Sequence, residues 1–260
     1  MSISETQPQV AGWYPDPAGG IGQRWHDGQG WTGPTSHARP RKALGASFAR
    51  LGDSLARLLL VHCFVRVAAL LVILWSFTDP GVLVRANVRA EAQVAAGTMP
   101  TYVVVMLLLI AGYLILCCVT GVLWLVWQHR LAVSAPGALR SSPAMHVVWW
   151  IIPFASYVLP VRNISDLWRS YAANQRTNGP GAEPVAGPPI FGWWTCWILS
   201  ALFVGFTYMA LVGDATLMDS QNLAVLGAVG ALLEALAAGL AALVVRQLSW
   251  MALLANTDAS

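Results

Sequence analysis

The sequence predicts an all-α integral membrane helical bundle, with four transmembrane helices plus a proline-broken re-entrant or fifth helix. A very small N-terminal Trp-rich β-hairpin module precedes it. Three observations predict this class. Tyr102 to Trp127 run without a single charged side chain, and at ~1.5 Å per residue such a helix exceeds the ~30 Å hydrocarbon core of a bilayer. The chain is 57% hydrophobic and only 10% charged, against about 25% charged residues in soluble domains. Most of the 13 Trp residues stand where an apolar stretch would meet lipid headgroups, the usual place of interfacial anchors. A net charge of +3 is too small for a nucleic-acid-binding surface, so the expected partner is the lipid bilayer and not nucleic acid.

The first element is a soluble module in residues 1–38, concentrated in 11–35 (AGWYPDPAGGIGQRWHDGQGWTGPT). The ten residues before it lack a basic start followed by an apolar stretch, so no cleavable signal peptide is expected. Tyr14-Pro15-Asp16-Pro17 must be extended or turned, because each Pro fixes its own φ and biases its predecessor away from helix. Gln23 to His26, Asp27-Gly28 and Gln29 to Thr32 read as a small hairpin with Asp-Gly at the turn. Trp13, Trp25 and Trp31 would supply nearly all of its core. GWYPDP, a Gly-rich bridge and QRWHDGQGWT together resemble the short actinobacterial module catalogued as domain of unknown function 2510. The resemblance implies lineage and architecture, not an activity. A Trp-lined groove of this kind would make residues 11–35 a candidate contact for a cytoplasmic protein partner; the alternative is that the Trp residues only form the core.

Residues 39–57 read as a basic linker and an amphipathic helix. Leu44, Phe48, Leu51, Leu55 and Leu58 form a helical stripe, with Arg50, Asp53 and Arg57 off it. That pattern predicts a helix on the membrane surface leading into the first span. The helical membrane domain occupies 58–250, with spans at about 58–78, 102–127, 190–213 and 222–248. Residues 147–161 (VVWWIIPFASYVLPV) contain Pro153 and Pro160 and are short for an unassisted span. Ile164, Leu167, Trp168 and Tyr171 then make a stripe that predicts an in-plane helix over 162–176. Residues 251–260 read as a tail.

Charge placement sets the expected topology. With a cytoplasmic N-terminus and a broken segment that returns to its own side, Arg39, Arg41, Lys42, Arg50, Arg57, Arg130, Arg140, Arg162, Arg169, Arg176 and Arg246 all flank the inner face. Only Arg85 and Arg89 are then outside. If the segment crosses, the last four of that inner set move outside and the asymmetry nearly disappears. The positive-inside rule favours the first arrangement, in the inner (plasma) membrane, multi-pass, with both termini cytoplasmic.

WQHRLAV at 127–133 and SSPAMHVVWWIIPFASYVLPVRNISDLWRSY at 141–171 carry a second resemblance, to the family catalogued as domain of unknown function 4328. The matching positions are Trp127, Arg130, Ser142, Pro143, Trp150, Pro153, Pro160 and Trp168. Ser134 and Ser156 stand where that family's pattern holds Asn. The resemblance spans most of residues 45–250 and implies fold and lineage without an activity.

Charges inside spans are costly, which singles out Arg66 and Glu234, with His62 one turn before Arg66 on the same face. Pairing of Arg66 with Glu234 across helices would remove two unpaired charges from lipid; a proton or ion path through the three residues is the sharper reading. Gly227, Ala231, Ala235 and Gly239 form a small-residue face in the last span, suited to packing within the chain or to a homo-oligomer contact. Cys63, Cys117, Cys118 and Cys196 lie in apolar runs with no CxxC or metal-ligand spacing. No catalytic, cofactor or metal site is expected, and no enzyme signature such as HExxH, GxSxG or a phosphate loop occurs. The expected role is a non-enzymatic scaffold or regulatory protein at the cytoplasmic face. The alternative is a small transporter or channel that uses the broken segment and the Arg66–Glu234 pair.

Overall fold

The computed structural model describes residues 12–15, 23–36, 44–79, 81–136, 139–178, 189–212 and 220–257. The chain divides into two compact units, Met1–Ala43 and Leu44–Ser260. Among the described residues, four helices are long and apolar enough to cross a membrane.

The second unit holds α1 (Ala46–Thr78), α2 (Gly81–Ala95), α3 (Thr101–Ser134), α4 (Met145–Val148), α5 (Leu159–Asn178), α6 (Ile190–Val212) and α7 (Ser220–Thr257). The membrane-length helices are α1, α3, α6 and α7. At ~1.5 Å per residue the 34 residues of α3 reach about 51 Å, well beyond the hydrocarbon core. The excess lies at its C-terminal end, where Trp127 and Leu131 are fully buried. The bundle is therefore packed most tightly at one end, the end formed by the C-termini of α3 and α7 and the N-termini of α1 and α6. Along the N-terminal half of α3, residues such as Leu108 and Leu109 stay open to lipid.

Several elements differ from the sequence reading. The amphipathic stripe of 44–58 is not a separate surface helix; it is continuous with the first span in α1. Phe48 and Leu55 are buried in the core, so neighbouring helices rather than headgroups cover the apolar face. The stripe of α5 behaves likewise. Ile164, Leu167 and Tyr171 are fully buried, and the Tyr171 hydroxyl donates to the Leu131 carbonyl at 3.0 Å. Residues 251–257 are not a tail but the last turns of α7, with Met251, Ala252 and Ala255 in the core. Helix α2 has no counterpart in the sequence reading: its polar composition hides it from any search for membrane spans.

α7 is the central helix and packs chiefly on α1 and α6. The small-residue face makes this approach close. A Cβ on Gly227 would meet Ile73 at 3.7 Å, one on Gly239 would meet the Cys63 thiol at 3.9 Å, and Ala231 and Ala235 are buried. α1 packs on that face within the chain, the first of the two uses the sequence suggested for it.

The broken segment is neither a continuous helix nor an ordinary kinked span. α4 stops at Val148, turns follow through Phe154, residues Ala155–Tyr157 make one 3-10 turn, and α5 begins at Leu159. Phe154 has φ 64°, a left-handed conformation that is uncommon for a non-glycine residue. Its side chain is 86% exposed, beside the exposed Ile151 and Ile152. Both flanks of the segment meet the same end of the bundle. The Pro143 carbonyl lies 3.2 Å from His129 Nδ1 of α3, and Arg140 approaches Asp166 of α5 at 3.7 Å.

In the N-terminal unit, β1 (Gly12–Pro15), β2 (Gln23–His26) and β3 (Trp31–Ser36) are antiparallel in the order β1-β2-β3. Trp13 stands opposite Trp25, and His26 opposite Trp31. The connection between β2 and β3 spans Asp27 to Gly30, where Asp27 Oδ1 accepts from the backbone N–H of Gln29 at 2.8 Å and of Gly30 at 2.7 Å. These two donors hold the Asp27 carboxyl below the usual carboxylate range. Gly28 takes φ 97°, which only glycine adopts freely. Tyr14, His26 and Trp31 meet edge to face, the closest pair with ring centroids 4.9 Å apart. Asp16 and Pro17 lie outside the described residues.

Candidate functional site

Helix α3 carries Tyr113, Cys117, Thr120 and Trp124 at i, i+4, i+7 and i+11, on one helix face. That face looks onto His62 and Arg66 of α1. The His62 Nε2 and Thr120 Oγ1 atoms are 3.1 Å apart, Arg66 Nε donates to the Tyr113 hydroxyl at 3.1 Å, and the guanidinium carbon sits 4.3 Å from the Tyr113 ring centroid. From α7, Glu234 Oε2 approaches Arg66 Nε at 2.5 Å. Nε has a single proton, directed to Tyr113, so Oε2 makes an ion pair while remaining without a hydrogen-bond donor among the described residues. The structure thus brings Arg66, Glu234 and His62 into one cluster.

These residues line a cavity of about 520 Å³, within the ordinary range for a small-molecule site. Its polar groups come from α1, α3 and α7. Its remaining wall is apolar, chiefly indole (Trp124, Trp150, Trp193 and Trp197) and alanine (Ala237, Ala238 and Ala241), with Leu59, Gly121 and Leu125. The positive and negative charges at its polar end cancel.

The same Trp residues form the tight end of the bundle. Trp124 lies 5.2 Å from both Trp127 and Trp193, Trp150 lies 6.0 Å from both Trp124 and Trp194, and Trp194 stacks on Trp197 at 4.9 Å. Each such ring contact adds about 0.5–1.5 kcal/mol beyond the area it buries. Gln128, fully buried, is the polar centre: its Oε1 accepts from the indole N–H of Trp124 at 3.1 Å and of Trp150 at 2.9 Å. Trp150 thereby fastens the broken segment to α3 and α6. Trp194 adds a second fastening, its indole N–H donating to the Tyr157 carbonyl at 3.2 Å. The interfacial-anchor reading of these Trp residues is corrected: Trp124, Trp127, Trp168, Trp193 and Trp194 are core, whereas Trp75 is 60% exposed.

The other motif positions divide by exposure. Trp127 is buried and donates to Ser249 Oγ at 2.8 Å, and Pro160 and Trp168 are buried, while Arg130 and Pro153 are exposed. Sequence reasoning missed Tyr113, Gln128, His146 and Asn163. Tyr113 was signalled by the i, i+4, i+7 spacing in α3; nothing in the sequence singled out the other three.

His146 is 1% exposed and neither ring nitrogen has a hydrogen-bond partner among the described residues. Burial pushes its pKa down to about 4; Asp166 opposes the shift and His129 adds to it. The native imidazole is therefore neutral where an unfolded one, with a pKa of about 6.5, takes up a proton. Stability should be complete above that value, fall as the pH drops from about 6.5 to 4, and lose on the order of 1–3 kcal/mol in all. A His146→Phe variant should flatten this slope in a detergent unfolding series. An unchanged slope would assign the acid sensitivity to other groups.

Fold and site together define a multi-pass α-helical membrane protein. A family model described as Domain of unknown function (DUF4328) matches residues 86–249, and the chain belongs to that family. A second, described as Protein of unknown function (DUF2510), matches residues 11–44. Comparison with the curated proteins and with the solved structures finds no match. The DUF4328 match begins after α1, later than the sequence resemblance placed it. His62 and Arg66 therefore stand outside the matched region, and their partners Thr120, Tyr113 and Glu234 stand inside it.

Proposed function

We propose that the protein is a non-enzymatic regulatory protein acting at the cytoplasmic face of the plasma membrane, with the cavity as its input and residues 11–35 as a small module that contacts a protein partner. One observation carries this reading: Trp124, Trp150, Trp193 and Trp197 both wall the cavity and form the cluster that fastens the broken segment. A molecule in the cavity would bear on the contacts that set the position of 147–161. The cancelled charge of Arg66 and Glu234 and the indole walls suit a neutral, membrane-dissolved molecule better than an ion.

The test is affinity capture of the detergent-solubilised full chain, of a form lacking residues 1–40, and of an Ala241→Phe variant that fills the cavity. A partner that disappears with the deletion and changes in yield with Ala241→Phe is expected. Identical captures from all three would end the proposal.

In the topology that goes with it, the N-terminus is cytoplasmic and 147–161 is re-entrant, supported by the basic flanks and by the contacts that join both ends of the segment to one end of the bundle. On a background lacking the four native thiols, Ala173→Cys should resist a membrane-impermeant reagent in intact cells and react after permeabilisation. Labelling in intact cells would sink the re-entrant arrangement.

The second reading, a transporter, draws on the same charged pair and broken segment. It requires a polar lining beyond the cavity, and the outer portions of α3 and α6 are aliphatic and aromatic. Flux into proteoliposomes that Glu234→Gln abolishes would favour it.

A further inference from the structure

A second concavity, of about 340 Å³, lies where the start of α5 meets the start of α6. Arg162, Ser165, Asp166 and Arg169 occupy i, i+3, i+4 and i+7 of α5 and share one helix face. Arg140 joins them from the preceding loop, and Phe191 of α6 completes the wall. Three arginines and one carboxylate therefore line the pocket, a net charge of +2 by residue count. Asp166 holds two of them loosely, Arg140 at 3.7 Å and Arg169 at 3.5 Å. Arg162 has no ion-pair partner among the described residues. Ser165 contributes no free donor, because its hydroxyl is given to the Val161 carbonyl at 2.8 Å.

We propose that this pocket is a binding site for the phosphodiester headgroup of an anionic membrane phospholipid. Guanidinium groups suit phosphate oxygens through paired, charge-assisted N–H donors. Asp166 orients Arg140 and Arg169, and Arg162 is left to take the anion. The source of the phosphate follows from position. Phe191 is the second residue of the membrane-length helix α6 and is 69% exposed. An acyl chain leaving the headgroup would run along that exposed face, whereas a water-soluble phosphate would gain nothing from it. Basic pockets beside membrane helices are suited to such headgroups.

The experiment measures lipid retained by the full-length protein in native mass spectrometry, together with thermal stability in detergent. Dioleoyl phosphatidylglycerol is compared with dioleoyl phosphatidylcholine and with inorganic phosphate. Wild type should retain the anionic lipid in roughly ten-fold or greater preference, and high salt should erode the preference. Arg162→Gln should reduce it by roughly five-fold, and Arg140→Gln/Arg162→Gln/Arg169→Gln should abolish it. Arg57→Gln, an exposed change on α1, should leave it intact. The substituted arginines are exposed, so the variants should fold, and equal binding of the zwitterionic lipid reports that they have. Three results would overturn the proposal: stabilisation by inorganic phosphate without any lipid preference, a triple variant that keeps the preference, or a loss with Arg57→Gln equal to that with Arg162→Gln.

Discussion

Replacing Arg66 by Leu, or Glu234 by Leu, should cost about 3 kcal/mol or more of stability, and replacing both should recover at least half of the loss. Each single change leaves one charge at mid-span depth without its counter-ion, and removal of one partner from a buried pair is the expensive event. The double change leaves only leucine, which a membrane span accommodates. The two side chains are about a quarter exposed, which lowers the expectation from the upper end of the range. Tyr113 refines it. Arg66 keeps its contact with the Tyr113 hydroxyl when Glu234 is lost, whereas Glu234 Oε2 has no hydrogen-bond donor among the described residues to replace the ion pair when Arg66 is lost. Arg66→Leu should therefore be the more damaging single change. A double-mutant cycle by detergent unfolding measures both points. Additive losses would show that the contact contributes nothing.

Residue patterns made some levels of this molecule legible and hid others. The spans could be read because lipid demands long uncharged helices, and Arg66 and Glu234 could be read because lipid makes charges conspicuous. Helix ends could not be read by the same rule. The C-terminal turns of α3 and α7 pass beyond bilayer length into a protein core, so residues such as Met251 carry an ordinary apolar pattern with no boundary signal. A surface helix and a helix packed on protein share the same 3.6-residue stripe, which is why α5 and the start of α1 read as lying on lipid. The Trp residues were ambiguous for a related reason: an indole at the level of the headgroups can face lipid or another indole. Gln128 decides between the two, since a buried amide that accepts from two indoles needs both rings turned inward. His62, Arg66 and Glu234 could be picked out singly, but the cavity they share depends on the rotation of α3, which only the packed structure supplies.

A close approach of α1 to α7 carries the last large effect. Gly52 of α1 faces Ser249 of α7, and a Cβ on Gly52 would come within 2.6 Å of the Ser249 hydroxyl oxygen and 3.1 Å of its Cβ. That same oxygen accepts the indole N–H of Trp127, which has no exposed surface. One small residue, one hydroxyl and one indole thus lock α1, α7 and α3 at a single crossing. Trp127→Ala should cost about 3–5 kcal/mol, the range for emptying a buried aromatic site. Trp127→Phe should cost less, losing the hydrogen bond and part of the ring. Gly52→Ala tests the approach itself. In an open helix it would gain up to about 1 kcal/mol; here the overlap should reverse the sign and cost about 1–3 kcal/mol. Ser249→Ala removes the nearest obstructing atom, so Gly52→Ala should cost less in that background. Equal costs in both backgrounds would mean that the helices separate freely at this point, and the crossing would not be what holds α1 against α7.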